Sequence, residues 1–252
     1  MADRRACSGS ANRLPRSLPR HLYTTFSTLA HMTSLSTLHD PRVAAALDRM
    51  FALADRDEDL MRQAAANRPA GFFPTTAQER ADEFDELYLP ISPESGQLLY
   101  SLIRAVRPRT VVEFGMSFGI STLHLAAGVR DNGVGRVITT ELSAGKAAAA
   151  RKVFAETGLD DVVTVLEGDA RQTLPAHIED GVDLVLLDGW KDLYLPVLHL
   201  LEPRIASGTL VFADDANFKQ VQPYLDYVRD PANGYQSVNF PVGDTMEISC
   251  RI

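Results

Sequence analysis

Apolar positions along this chain change their period in an ordered way. Val43, Leu47, Met50, Phe51 and Ala54 recur three or four residues apart behind Asp40-Pro41, an acid able to cap free N–H groups followed by a proline suited to a first turn. That spacing predicts a helix from residue 41 to about Ala65. Gly71 and the prolines flanking Phe72-Phe73 interrupt the pattern over Asn67 to Pro74, and a second helix is expected from Thr76 to Leu87. Ser92-Pro93-Glu94 opens a third, which carries Leu98, Leu99, Leu102, Ile103 and Val106 on one side as far as Val106.

From Thr110 onward, short β-branched runs alternate with helical stretches. Strands are predicted at Thr110–Phe114, Arg136–Thr140, Val162–Glu167, Val182–Leu187 and Thr209–Ala213. Helices are expected from Ile120, over Ala144–Thr157, near Gln172 and over Asp192–Leu201. Such alternation predicts an α/β fold with a mostly parallel sheet covered on both faces. A helical stretch Gln220–Arg229 then leads to strands Ser237–Val242 and Thr245–Arg251 about Gly243-Asp244, a tight-hairpin signal that predicts an antiparallel ending.

Composition narrows the function. At 252 residues and 45% hydrophobic, the chain can bury one sizeable core. No apolar run approaches the roughly 20 residues of a membrane span, so no membrane partner is expected. A formal charge of -8 argues against nucleic acid, whose phosphates are met by Lys and Arg, and favours a small-molecule ligand. Cys7 and Cys250 lie at opposite ends without metal-type spacing, which suits a reducing cytoplasm. Residues 1–40 differ from the rest in holding five arginines and only two acids. They read either as a transit-type leader or as a disordered extension with Met32 as the natural start. The expected organisation is therefore an extension over 1–40 and one domain over 41–252, with a helical segment 41–90 that packs on, or closes over, a core at 91–252.

Candidate chemistry gathers at the strand ends, where ligands bind in parallel sheets. The turn after the first strand, Val111 to Gly119, places Glu113, Gly115 and Gly119 in an E-x-G-x-x-x-G spacing. This differs from the G-x-G-x-x-G that seats a pyrophosphate, so a ligand without phosphate suits it better and a dinucleotide-dependent oxidoreductase is disfavoured. Glu141, Asp169, Asp188 and Asp214-Asp215 end the next four strands. Any one acid there is equally a cap or a turn former; a series along one sheet edge points to a site. Glu141 falls 22 residues beyond Gly119, about where a dinucleotide fold puts the carboxylate that accepts from ribose hydroxyls. Asp169, in Gly168-Asp169-Ala170, is positioned for an adenine amino group or a neighbouring backbone N–H, and Glu113 for the glycine turn or a ligand ammonium. Adenosine with an ammonium and no phosphate describes S-adenosylmethionine.

Two motifs are more specific: LVLLDGWKDLYLP over 184–196 and GTLVFADD over 208–215. With them, the stretch from about Ile91 to Ala213 resembles class I S-adenosylmethionine-dependent methyltransferases, and among these the catechol O-methyltransferase type. The resemblance implies a Rossmann-like seven-stranded sheet, mostly parallel, and a small, aromatic, catechol-like acceptor. It assigns Asp188, Asp214 and Asp215 to a divalent cation, Lys191 to catalysis, and Glu113, Gly115, Ser117, Gly119, Ser121, Glu141, Asp169, Ala170 and Asp188 to the methyl donor. Relatives often form homodimers, which by analogy is expected here. Three carboxylates without Cys or His suit a hard ion such as Mg²⁺. A phenol titrates near 10, so it needs deprotonation at neutral pH, the task assigned to the cation and Lys191.

The chain also departs from its relatives. Asp215 stands where they usually carry an amide, with Asn217 a substitute ligand two residues on. The connection that supplies an acid to the acceptor's second hydroxyl is short here, leaving Asp244 as the nearest acid. Trp190 reads equally as core or as pocket wall, Lys191 also as a surface lysine, and Asp214-Asp215 also as a turn. Two further functional readings stay open: a metal-independent N- or O-methyltransferase, and a non-catalytic module that binds the methyl donor.

Overall fold

Strands β1 (Thr110–Phe114), β2 (Arg136–Glu141), β3 (Val163–Glu167), β4 (Val182–Leu187), β5 (Ile205–Ala213), β6 (Tyr235–Phe240) and β7 (Met246–Arg251) hydrogen-bond into one sheet in the order β3-β2-β1-β4-β5-β7-β6. They belong to a computed structural model that describes residues 36–68, 74–178 and 181–252. The first five strands run parallel, and β7 is antiparallel to both β5 and β6. Strand order reverses between β1 and β4, the position at which open α/β sheets leave a crevice beyond their carboxyl ends.

Helices α1 (Pro41–Ala54), α2 (Asp57–Asn67), α3 (Ala77–Glu83) and α4 (Pro93–Val106) precede the sheet. Between and after the strands come α5 (Ile120–Asn132), α6 (Ala144–Thr157), α7 (Ala170–His177), α8 (Tyr194–Leu201) and α9 (Gln222–Arg229). Side chains alternate across a strand, so neighbouring residues serve opposite cores. Val111 and Leu184 pack with α1, α4, α5 and α6 on one face. Val112 and Val185 pack with α7, α8 and α9 on the other. All of α5 except Arg130 and Asp131 is buried, because α4 covers the side that the sheet does not. No helix among the described residues is long and apolar enough to cross a membrane.

The α/β architecture, the parallel strands and the antiparallel ending agree with the pattern read from the sequence; several boundaries do not. The first predicted helix is two, α1 and α2, separated at Asp55-Arg56. The apolar period stops at Ala54, and Asp57 turns inward to accept from the backbone N–H groups of Tyr88 at 3.0 Å and Leu89 at 2.7 Å. The second predicted helix stops at Glu83 instead of Leu87, because the chain turns at Phe84 and enters the extended segment to which Asp57 bonds. Strand β5 begins four residues early, at Ile205, across an irregular register with β4. The tight two-residue hairpin is corrected to a connection over 241–245, since Phe240 pairs with Met246 and Pro241 has no N–H to continue the ladder. The predicted interruption around Gly71 and Phe72-Phe73 and nearly all of the 1–40 extension lie outside the described residues.

Candidate active site

The turn after β1 is shaped by close backbone approach. Gly115 has φ +93°, and a Cβ there would stand 2.5 Å from the backbone of Gly189 after β4. Two neighbouring strand ends meet at that point, which only glycine allows. Beyond them opens a cavity of about 610 Å³ at the carboxyl edge of the sheet.

One end of the cavity is formed by Ser117, Ser121, Glu141, Gly168, Asp169 and Ala170. Glu141 accepts from the backbone N–H of Ser117 at 2.7 Å and of Ser143 at 2.8 Å, each oxygen keeping capacity for a second bond. Burial raises its pKa despite those bonds. Asp169 caps α7 by accepting from Arg171 N at 2.9 Å, and its pairing with the Arg171 side chain holds its pKa low. Asp169 therefore does take the neighbouring-backbone role foreseen for it while still lining the cavity.

Two residues assigned to the methyl donor are not among those lining the cavity. Gly119 opens α5 with φ +98° and faces Phe154, whose ring a Cβ would meet at 2.7 Å. Glu113 is wholly buried within β1, where Thr122 and Thr139 donate their hydroxyls to Oε2. Oε1 has no hydrogen-bond partner among the described residues, and burial pushes the carboxyl up to about 7. The pairing of β1 between β2 and β4 is the reason: residue 113 lies inside the ladder, opposite Thr139 and Leu186.

The other end gathers the acids that follow β4 and β5. Carboxylate oxygens of Asp188, Asp214 and Asp215 lie within 4.8 Å of one another. Asp188 N donates to Phe114 O and Asp214 N to Leu187 O, so both acids are held by extensions of the sheet ladder. Asp215 takes φ +55°, turning its side chain toward the same point. Lys191 donates to Asp215 Oδ2 at 2.7 Å, Asp188 Oδ1 at 3.2 Å and the Tyr194 hydroxyl at 2.8 Å. Tyr194, one turn on, is wholly buried and donates in turn to the Asp214 carbonyl at 3.1 Å.

Electrostatics at this end are those of three acids crowded around one ammonium. Burial, then mutual repulsion, pushes the carboxyls of Asp188 and Asp214 upward. Burial opposes the charge on Lys191, but Tyr194, Asp188 and Asp215 outweigh it and hold the ammonium charged. Asp214 Oδ1 is buried with no partner among the described residues. An orphaned carboxylate oxygen beside two more carboxylates is the donor set of a hard divalent ion, so these residues fit one. Asn217, two residues on, is exposed and is not among the residues lining the cavity.

Further residues complete the walls. Trp190 is pocket wall, with its ring 6.1 Å from that of Phe84. Met61, Arg80 and Phe84 bring the N-terminal helices to the cavity, and Asp244 reaches it from the β6–β7 connection. Lys146, only 5% exposed in the first turn of α6, lines the cavity and donates to Ser117 Oγ at 3.1 Å. Its place five residues after Glu141 was the available signal; Arg80 and Phe84 fall in a helix expected from the sequence, but nothing local marks them as facing the cavity.

Comparison with known proteins bears on the family and the fold. Residues 112–216 match a family model described as a methyltransferase domain. Catechol O-methyltransferase B of Danio rerio is 32% identical over 211 residues, covering 80% of this chain and 78% of that protein. Catechol O-methyltransferase of Bos taurus is 30% identical over 150 residues, 57% of this chain and 54% of that protein, so the chain spans about half the length of that relative. Among solved structures, an O-methyltransferase from Bacillus cereus in complex with SAH superposes with a TM-score of 0.58 at 19% identity, covering 81% of this chain and all of that one. An SAH-bound methyltransferase from Podospora anserina gives the same TM-score and identity over 79% and 96% of the two chains.

Proposed function

From the premise that the chain belongs to the class I S-adenosylmethionine-dependent O-methyltransferases of the catechol O-methyltransferase type, we propose that it methylates one hydroxyl of a small aromatic acceptor with vicinal oxygens, assisted by a divalent cation, most naturally Mg²⁺. The observation that carries this reading is the convergence of Asp188, Asp214, Asp215 and Lys191 at one end of a cavity whose other end holds Glu141 and Asp169.

When bound, S-adenosylmethionine supplies a methyl already activated by its sulfonium, and a divalent cation supplies Lewis acidity to an acceptor hydroxyl. Glu141 accepts from the ribose hydroxyls, and the start of α7 at Asp169-Ala170 borders the base. Asp188, Asp214 and Asp215 hold the cation. With those carboxylates turned to a cation, the Lys191 ammonium would release its proton to solvent, and the uncharged Nζ would then accept the proton of the acceptor hydroxyl. Tyr194 keeps Nζ aimed by its hydrogen bond. Trp190 and Phe84 flank the acceptor ring and exclude water. With a pre-activated methyl, holding the two reactants in line accounts for much of the acceleration. In this reading the N-terminal helices act as a cap over the acceptor, and residues 41–252 form one catalytic domain.

The test is transfer of labelled methyl to vicinal diols, monophenols and amines, each with Mg²⁺ and with chelator. Labelling of a vicinal diol that chelator abolishes is expected. Labelling that ignores chelator overturns the metal role, labelling of amines alone overturns the hydroxyl acceptor, and donor binding without transfer to any compound favours a non-catalytic module.

A further inference from the structure

We propose that Arg80 reads the charge of the acceptor, and that the natural acceptor is an aromatic diol carrying a carboxylate. This rests on the methylation reading above and goes beyond it by naming the acceptor's second functional group. Arg80 lies on α3 and lines the acceptor end of the cavity. Its guanidinium carbon stands 4.9 Å from the centroid of the Trp190 ring. Trp190 directly precedes Lys191, so one short turn carries both the reactive end of the site and the surface over which Arg80 is laid. A flat ring that meets Lys191 and runs along Trp190 therefore arrives at the guanidinium.

The hydrogen bonds of Arg80 are incomplete. Nη2 meets the Asp192 carboxylate at 3.1 and 3.2 Å, whereas Nε is buried and has no partner among the described residues. Asp192 is 49% exposed, so water screens that pair and it counts for little. A buried N–H without an acceptor is costly, and a guanidinium whose charged partner is a screened surface carboxylate can take a carboxylate of the acceptor in its place. Asp192 and Asp244, the acids at this end outside the cation site, are both exposed and are weaker attractions for an ammonium-bearing acceptor.

The experiment measures binding and not turnover, so that it stands apart from the methylation reading. Calorimetry is run on the protein loaded with S-adenosylhomocysteine and Mg²⁺, using one catechol ring bearing a carboxylate, a carboxamide or an aminomethyl group. The acid is expected to bind about 10- to 100-fold more tightly than the amide, in line with a hydrogen bond between charged groups. Arg80→Gln brings that ratio to about one, and Arg80→Lys keeps part of it as a point charge without the planar fork. Equal binding of acid and amide, tighter binding of the amine, an unchanged ratio in Arg80→Gln, or no binding of any of the three overturns the proposal. If the acid binds in the expected pattern but receives no labelled methyl, charge recognition stands and the methylation reading falls.

Discussion

The ammonium of Lys191 lies 2.7 Å from a carboxylate oxygen of Asp215. The resemblance to the catechol type implies an amide at the position of Asp215, whereas here a full charge faces the lysine. Two consequences follow, one for the lysine and one for the cation.

For the lysine, Lys191→Met is expected to lower kcat by about 10²- to 10⁴-fold, the range of a lost general base, while donor affinity measured by calorimetry stays within a few-fold. Lys191→Arg should not restore the rate, because a guanidinium cannot release its proton. Unchanged turnover in Lys191→Met would remove the residue from the chemistry.

For the cation, Mg²⁺ should raise the melting temperature of the wild type. Saturation at a hundredfold over Kd corresponds to about 2.7 kcal/mol. Asp214→Asn should abolish that shift, yet melt higher than the wild type in chelator, since it removes one of three crowded carboxylates. A variant that keeps the Mg²⁺ shift would show that the ion binds elsewhere.

Glu113 gives a pH dependence of stability. Its carboxyl is pushed up to about 7 by burial, against hydrogen bonds from Thr122 and Thr139, from an ordinary value of 4.5. The protonated form therefore suits the folded state. Its contribution is complete below about 4.5 and is lost as pH rises through about 7, amounting to at most about 3 kcal/mol. Glu113→Gln should flatten this part of the profile, so that urea midpoints of wild type minus variant fall between pH 5 and pH 8. A constant difference would mean that Glu113 is ionised throughout.

Asp57 holds the backbone of Tyr88 and Leu89, the latter at φ +48° beside the cavity. Asp57→Ala leaves two N–H groups without this acceptor and should cost about 1–3 kcal/mol in urea unfolding. Because Leu89, Pro90 and Ile91 line the cavity, KM should rise more than kcat falls. Steady-state kinetics with unchanged KM would show that the segment is held by other contacts.

The sequence by itself determined the alternation of elements, the mostly parallel sheet, and the rule that its strand ends carry the site. Those properties are local: periods of two and 3.6, capping residues and glycine turns are written in adjacent residues. It also pointed to Asp188, Lys191, Asp214 and Asp215, because they stand in the two short motifs, 184–196 and 208–215, that carry the resemblance. Only the tertiary structure decided that Glu113 is buried behind the site, because whether a strand's last acid faces a crevice depends on the register of β1 between β2 and β4. The same holds for Gly119 against Phe154, and for Arg80 laid over Trp190 more than a hundred residues away. Such pairings come from how separate helices and turns are brought together, and contacts between distant residues leave no periodic trace in a single chain.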